Sequence, residues 1–193
     1  STPSPSTPVA VSGVALDKKV ATVNVGKKVT VKATVTPANA DNKTLAWTSS
    51  NTKIATVSNG VVKGVKAGRV IITAKTTDGS NISATCTVTV KQPVTSISLS
   101  KKATMYTGKK LTLKAKVNPA NASNKALTWK SSNAKVAKVS SKGIVTGVKA
   151  GTVKITATAK DGSRKSATCT VTVRQSVSKI TLSKTNVVLP KKG

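Results

Sequence analysis

Few side chains in this sequence can act as acids, bases, nucleophiles or metal ligands. There is no His and no Glu, and the only carboxylates are Asp17, Asp41, Asp78 and Asp161. General acid–base catalysis draws on His or on paired carboxylates, so no active site and no enzyme activity are expected. Zinc needs several His, Cys or carboxylate ligands, and calcium needs several oxygens. The acids shared by the two halves of the chain, Asp78 and Asp161, are single carboxylates in DG turns. One per site is too few, so no metal and no cofactor are expected. Cys86 and Cys169 occupy equivalent places in two copies of ATCTVTV. Alternation puts them on the valine face of a strand, where a thiol serves as a small apolar core side chain.

Cations dominate instead. There are 33 Lys and Arg against the four acids, a net charge of +29. Residues 11–93 contribute +9, residues 94–176 contribute +16 and the remainder +4. Such a field attracts polyanions without specificity. Only Arg69, Arg164 and Arg174 are arginine, and the aromatics are Trp47, Tyr106 and Trp129. Nucleic-acid recognition favours guanidinium forks and aromatic stacking platforms, so no specific nucleic-acid partner is expected. Anionic cell-envelope polymers or glycans fit a lysine coat better. The candidate polyanion contacts are Lys27, Lys28, Lys109 and Lys110, two pairs that each follow a turn glycine. The alternative for them is a solvated turn that discourages edge-to-edge strand pairing.

These residues ride on a repeat. Val11, Val94 and Val177 open three copies at a spacing of 83 residues, and self-similarity at a fixed period sets domain organisation. The period suits a small domain that folds by itself, strung in tandem. The expected division is a Ser/Thr/Pro-rich linker at 1–10, repeats at 11–93 and 94–176, and the truncated start of a third at 177–193. The opening STPSPSTP reads as an extended linker and a candidate for O-glycosylation. It has no basic region followed by an apolar core, so no signal peptide is expected. Linker and truncated repeat point to a segment of a longer parent chain. No stretch approaches the roughly 20 apolar residues of a membrane span, and no membrane insertion is expected.

Within each repeat the pattern has period two. Val29, Val31, Ala33 and Val35 alternate with Thr30, Lys32 and Thr34, and Val153, Ile155, Ala157 and Ala159 alternate with Lys154, Thr156 and Thr158. These are half-buried strands with a solvated threonine and lysine face. Turns recur at Gly26-Lys27-Lys28, Pro37-Ala38-Asn39, Asn59-Gly60, Ala67-Gly68 and Asp78-Gly79. Short strands and turns at this spacing predict an all-β fold of tandem immunoglobulin-like sandwiches. Trp47 and Trp129 fall in mid-domain strands and are expected in the core, with sugar stacking as the alternative. The junction TVTVKQPVTSISL leaves Lys91-Gln92-Pro93 between strands. Few free residues and a proline limit swivelling, so the repeats are expected to form an elongated rod. The third copy, VSKITLSKTNVVLPKKG, cannot make a sandwich alone. Its first strand is expected to be mobile or to borrow an edge of the second repeat.

The block WTSSNTKIATVSNGVVKGVKAGRVIITA and its copy WKSSNAKVAKVSSKGIVTGVKAGTVKITA resemble the signature of the bacterial Ig-like domain, group 2. The upstream VTPANADNKTLAW and VNPANASNKALTW, and the opening VTSISLSKK, fit the same pattern. The resemblance covers both complete repeats and the start of the third. It implies an immunoglobulin-like sandwich of the kind found in tandem in bacterial surface proteins, adhesins, multidomain secreted enzymes and phage structural proteins. It carries no catalytic residues. Calcium binding, known in some members, has too few acids to draw on here. The expected role is a non-catalytic spacer module of a bacterial cell-surface or secreted protein, extracellular and monomeric, assisting adhesion to anionic envelope polymers. The alternative is an adhesin or carbohydrate-binding module for host or cell-wall glycans.

Overall fold

The computed structural model describes residues 7–177, 179 and 181, and those residues contain strands and turns but no helix. The opening residues 1–6 and most of the third copy lie outside the described residues, and with them the expectation for that copy's first strand.

The first repeat supplies nine strands: β1 (Gly13–Leu16), β2 (Val20–Asn24), β3 (Lys28–Thr30), β4 (Ala33–Thr36), β5 (Leu45–Ser49), β6 (Ala55–Ser58), β7 (Val61–Gly64), β8 (Gly68–Thr76) and β9 (Ser83–Lys91). One sheet has the order β2-β9-β8-β5, a second has β3-β7-β6, and β1 pairs with β4. β2 runs parallel to β9, whereas β8 is antiparallel to β9 and to β5. The second repeat copies this with β10 (Ser96–Ser98), β11 (Lys102–Tyr106), β12 (Lys110–Thr112), β13 (Lys116–Asn118), β14 (Leu127–Ser131), β15 (Ala137–Val139), β16 (Ile144–Gly147), β17 (Gly151–Ala159) and β18 (Ser166–Arg174). Its sheets are β11-β18-β17-β14 and β12-β16-β15, with β10 paired to β13.

Each repeat has its own core between its two sheets. In the first, Val70 and Ile72 of β8 and Cys86, Val88 and Val90 of β9 meet Ala55 and Val62 of the three-stranded sheet. In the second, Val153, Ile155, Cys169, Val171 and Val173 meet Ala137 and Val145. These are the inward residues of the alternation, and their partners Thr85 and Thr168 are exposed. Burying each Val or Ile side chain contributes about 1.5–3 kcal/mol, so a core of small aliphatics suffices at this size.

In each repeat the strand pairing departs from the sequence pattern. The run from Val29 to Val35 alternates without a break, yet the strand divides into β3 and β4 at Val31 and Lys32. The backbone hydrogen bonds change partner there. The Val31 N–H donates to the Gly60 carbonyl at 2.9 Å, whereas the Lys32 N–H donates to Asp17 Oδ1 at 2.8 Å. The Lys32 carbonyl in turn accepts the Asp17 N–H at 2.9 Å. The chain thus leaves β7 and joins β1. The same division separates β12 from β13, with the Leu113 N–H bonded to the Gly143 carbonyl at 3.0 Å.

Trp47 and Trp129 lie on the edge strands β5 and β14. Both are half-buried and pack on the rim of their cores rather than at the centre. Each ring lies over a turn glycine. Asn59 and Gly60 have φ of 47° and 77°, the left-handed pair that a two-residue β6–β7 hairpin requires. Gly143 holds φ at 77° in the longer second turn, and a Cβ there would come within 2.7 Å of Cζ2 of Trp129. Gly143→Ala should therefore destabilise the second repeat by about 2–4 kcal/mol, from the left-handed backbone and the displaced indole together. Urea unfolding followed by tryptophan fluorescence reads this, and an unchanged midpoint would show that the ring does not depend on the glycine.

Candidate functional site

The four carboxylates are all committed to holding the fold. Asp78 Oδ2 accepts the N–H of Val11 at 2.7 Å, while its Oδ1 accepts the Ser80 N–H at 3.0 Å and the Ser80 hydroxyl at 2.6 Å. Asp161 repeats the arrangement, accepting the Val94 N–H at 2.6 Å and both donors of Ser163. Each DGS turn thus latches the first residue of its own repeat, 67 positions upstream. A second tie lies beside the first. Asp41 Oδ2 accepts the Val9 N–H at 2.7 Å, and the Asp41 N–H donates to the Val9 carbonyl. In the second repeat Ser123 does the same for Gln92, at 2.8 Å in both directions. Asp17 pins the division between β3 and β4 and forms an ion pair with Lys18. Sequence reasoning missed these latches. The signal that finds them is the identical Asp-Gly-Ser of both copies, since Asp in a turn bonds the backbone two residues on.

The hydrogen bonds tune these acids. Donation from the Ser80 hydroxyl, then from the Val11 and Ser80 N–H groups, holds Asp78 at about 2. Burial opposes the shift at Asp161, but the Ser163 and Val94 donors outweigh it and the carboxyl stays below its ordinary value. Lys18 leads the downward shift at Asp17. The cysteines move the other way. Burial pushes both thiols up, and the charge of Asp17 adds to the push at Cys86. Cys86 and Cys169 are fully buried free thiols within the two clusters. Among the described residues no group of three or more His, Cys or Asp side chains comes together as a metal site.

The expected polyanion contacts separate into two kinds. Lys27, Lys28, Lys109 and Lys110 are all exposed. Lys27 and Lys109 stay on the turns. Lys28 opens β3 and faces Lys63 of β7 across the ladder, with Thr56 of β6 beyond it. Lys110 opens β12 and faces Thr146 of β16, with Lys138 of β15 beyond. A shallow concavity of about 490 Å³ runs over the first of these faces, lined by Lys28, Thr56, Ser58, Val61 and Lys63 among others. An equivalent one of about 310 Å³ is lined by Lys110, Lys138, Val139, Ser140, Ile144 and Thr146. Lys63 and Lys138 escaped sequence reasoning, because they become neighbours of Lys28 and Lys110 only through sheet order.

The latches set an acid limb for stability. A carboxyl whose folded value lies below its unfolded one stabilises the fold above the unfolded value, and that contribution is lost as pH falls through the folded value. For Asp78 the window runs from the ordinary 3.8 down to about 2. The melting temperature should fall across that window, and D78N/D161N should melt several degrees lower at neutral pH with a flatter acid limb. Thermal scans by circular dichroism at stepped pH check this, and a variant with the parent's acid limb would remove the latches from the account.

Comparison with known proteins adds a family. The model of the Bacterial Ig-like domain (group 2) matches residues 10–88 and 93–171. An uncharacterized protein of Clostridium acetobutylicum is 38% identical over 173 residues, which is 89% of this chain and 18% of that protein. The Ig-like virion protein of Serratia phage KSP90 is 51% identical over 84 residues, 42% of this chain and 32% of that protein. The chain therefore spans less than a third of the length of either relative. Among solved structures, the C-terminal 282-residue fragment of intimin, in complex with its receptor's intimin-binding domain, aligns with 85% of this chain and 64% of its own. Its TM-score is 0.49 and its sequence identity 18%.

Proposed function

This chain belongs to the bacterial Ig-like domain (group 2) family, and on that premise we propose that it is a spacer of an extracellular or surface-attached bacterial protein, extending and orienting the other domains of a longer parent chain. The domain itself is a non-catalytic Ig-like fold. Its lysine coat would hold the spacer close to anionic polymers of the envelope, through a charge of +29 that attracts them without a shaped site.

The latch of each repeat carries this reading. Val94 and Gln92 are bonded to Asp161 and Ser123, while β9 ends at Lys91. The chain is thus bonded to the second repeat from its first residues onward, as suits a module strung in tandem. The first repeat ties Val9 and Val11 in the same way, so the device belongs to the module. The carboxylates spent on it are unavailable for chemistry.

Small-angle scattering on the whole chain tests the proposal. Nine-residue strands at about 3.3 Å per residue make modules roughly 30 Å long, so two in line give a maximum dimension above about 60 Å and the profile of a stiff particle. A compact particle, or one whose halves tumble independently, would sink the spacer.

A further inference from the structure

We propose that the outer face of each three-stranded sheet binds an anionic linear polysaccharide, with the cross-strand lysines gripping its charged groups and the rest of the row contacting the sugar. The inference deepens the polymer-binding part of the reading above and depends on it. In the first repeat one outward row reads Lys28, Lys63, Thr56, and the next reads Thr30, Val61, Ser58. In the second repeat the lysine row reads Lys110, Thr146, Lys138, and Ile144 faces Thr112 in the next. Each row of three holds two lysines, although their places differ. The lysine on the central strand of the first repeat becomes threonine in the second, and the threonine on its outer strand becomes lysine. Lys28 and Lys63 stand directly opposite, an arrangement of like charges that weakens a sheet unless an anion joins it.

No carboxylate lines either concavity, and all four acids are engaged elsewhere by backbone donors. Among the described residues the lysine rows therefore lack an internal counter-ion. Beside the charges lie hydroxyls, Ser58 in one concavity and Ser140 in the other, and aliphatic residues, Val57 and Val61 in the first and Val139 and Ile144 in the second. Hydroxyls match sugar hydroxyls, and a small apolar side chain matches the C–H face of a sugar ring. Neither concavity contains an aromatic side chain, so bases have nothing to stack on, and ammonium groups lack the fork that reads base edges. This chemistry favours a charged polysaccharide over a nucleic acid. The strands carrying Lys28 and Lys63 are adjacent, about 4.8 Å apart, and those carrying Lys110 and Lys138 are about twice that. The first row therefore clamps one anionic group and the second spans two.

The test uses the whole chain with dextran sulfate and polygalacturonate as probes, neutral dextran and single-stranded DNA as comparators, at about 0.1 and 0.5 M salt, where the Debye length drops to a few Å. Two charge-matched variants are compared, K28Q/K63Q/K110Q/K138Q and K66Q/K75Q/K130Q/K154Q, with melting curves confirming that both fold. The first should weaken binding to an anionic polysaccharide by about tenfold or more, and the second by less than about threefold, as expected for a local rather than a global charge effect. Equal losses would overturn the site and leave only the diffuse coat. DNA binding as tight as polysaccharide binding, with the same loss in the first variant, would overturn the choice of partner. Failure of the parent chain to bind either charged polymer would remove polymer binding altogether, without touching the spacer.

Discussion

Each repeat rests on one antiparallel pair of nine-residue strands, β8 with β9 and β17 with β18, buried on one face only. Their inward residues are Val, Ile, Ala and Cys with Thr76 at the end of β8, and the opposite face is mostly threonine, lysine and serine, with Arg69 and Ile71 on β8. Once that pair stands, the remaining strands have a surface to close over. β2 and β5 extend the pair into a four-stranded sheet, and β3-β7-β6 covers its apolar face. The hydrophobic effect scales with apolar area removed from water, so a core without phenylalanine works as long as two sheets share it. The indoles contribute at the rim, where each covers a turn glycine.

With so few acids in the chain, what each one does has weight. Every carboxylate accepts backbone N–H groups, and in Asp78 and Asp161 a serine hydroxyl as well. In Asp78 and Asp161 the several donors hold the carboxylate ionised and ordered. The acids therefore serve as fasteners at the entry to each repeat and at the division of the β3–β4 strand. The lysines are left with few partners, and Lys18 with Asp17 is the one ion pair found among the described residues. The net charge of +29 is therefore largely unpaired among the described residues.

Much of this could be read before any fold was known. The repeat, the all-β architecture and the burial of Cys86 and Cys169 follow from period-two alternation and from two long, matching copies. The latches were harder to see, because the Asp-Gly-Ser turn announces itself as a turn while its second partner, Val11 or Val94, lies 67 residues away. The uninterrupted alternation from Val29 to Val35 gave no warning of the division at Val31 and Lys32. Alternation reports which face a side chain takes, and both halves of that strand keep the same face inward while changing partner. Lys28 and Lys110 stood out by their position after a turn glycine. Lys63 and Lys138 did not, since each is one lysine among many on a solvated face.

The sequence by itself determined what is periodic or repeated: the strand class, the tandem plan, the apolar faces and the scarcity of catalytic groups. These are properties of residue type and local spacing, and tertiary contacts do not alter them. Only the tertiary structure decided which strands are neighbours, and so which carboxylate meets which distant N–H and which lysines share a row. Sheet order is set by packing two sheets around one core. It brings together residues separated by 35 positions, as with Lys28 and Lys63, and a local pattern carries no record of that pairing.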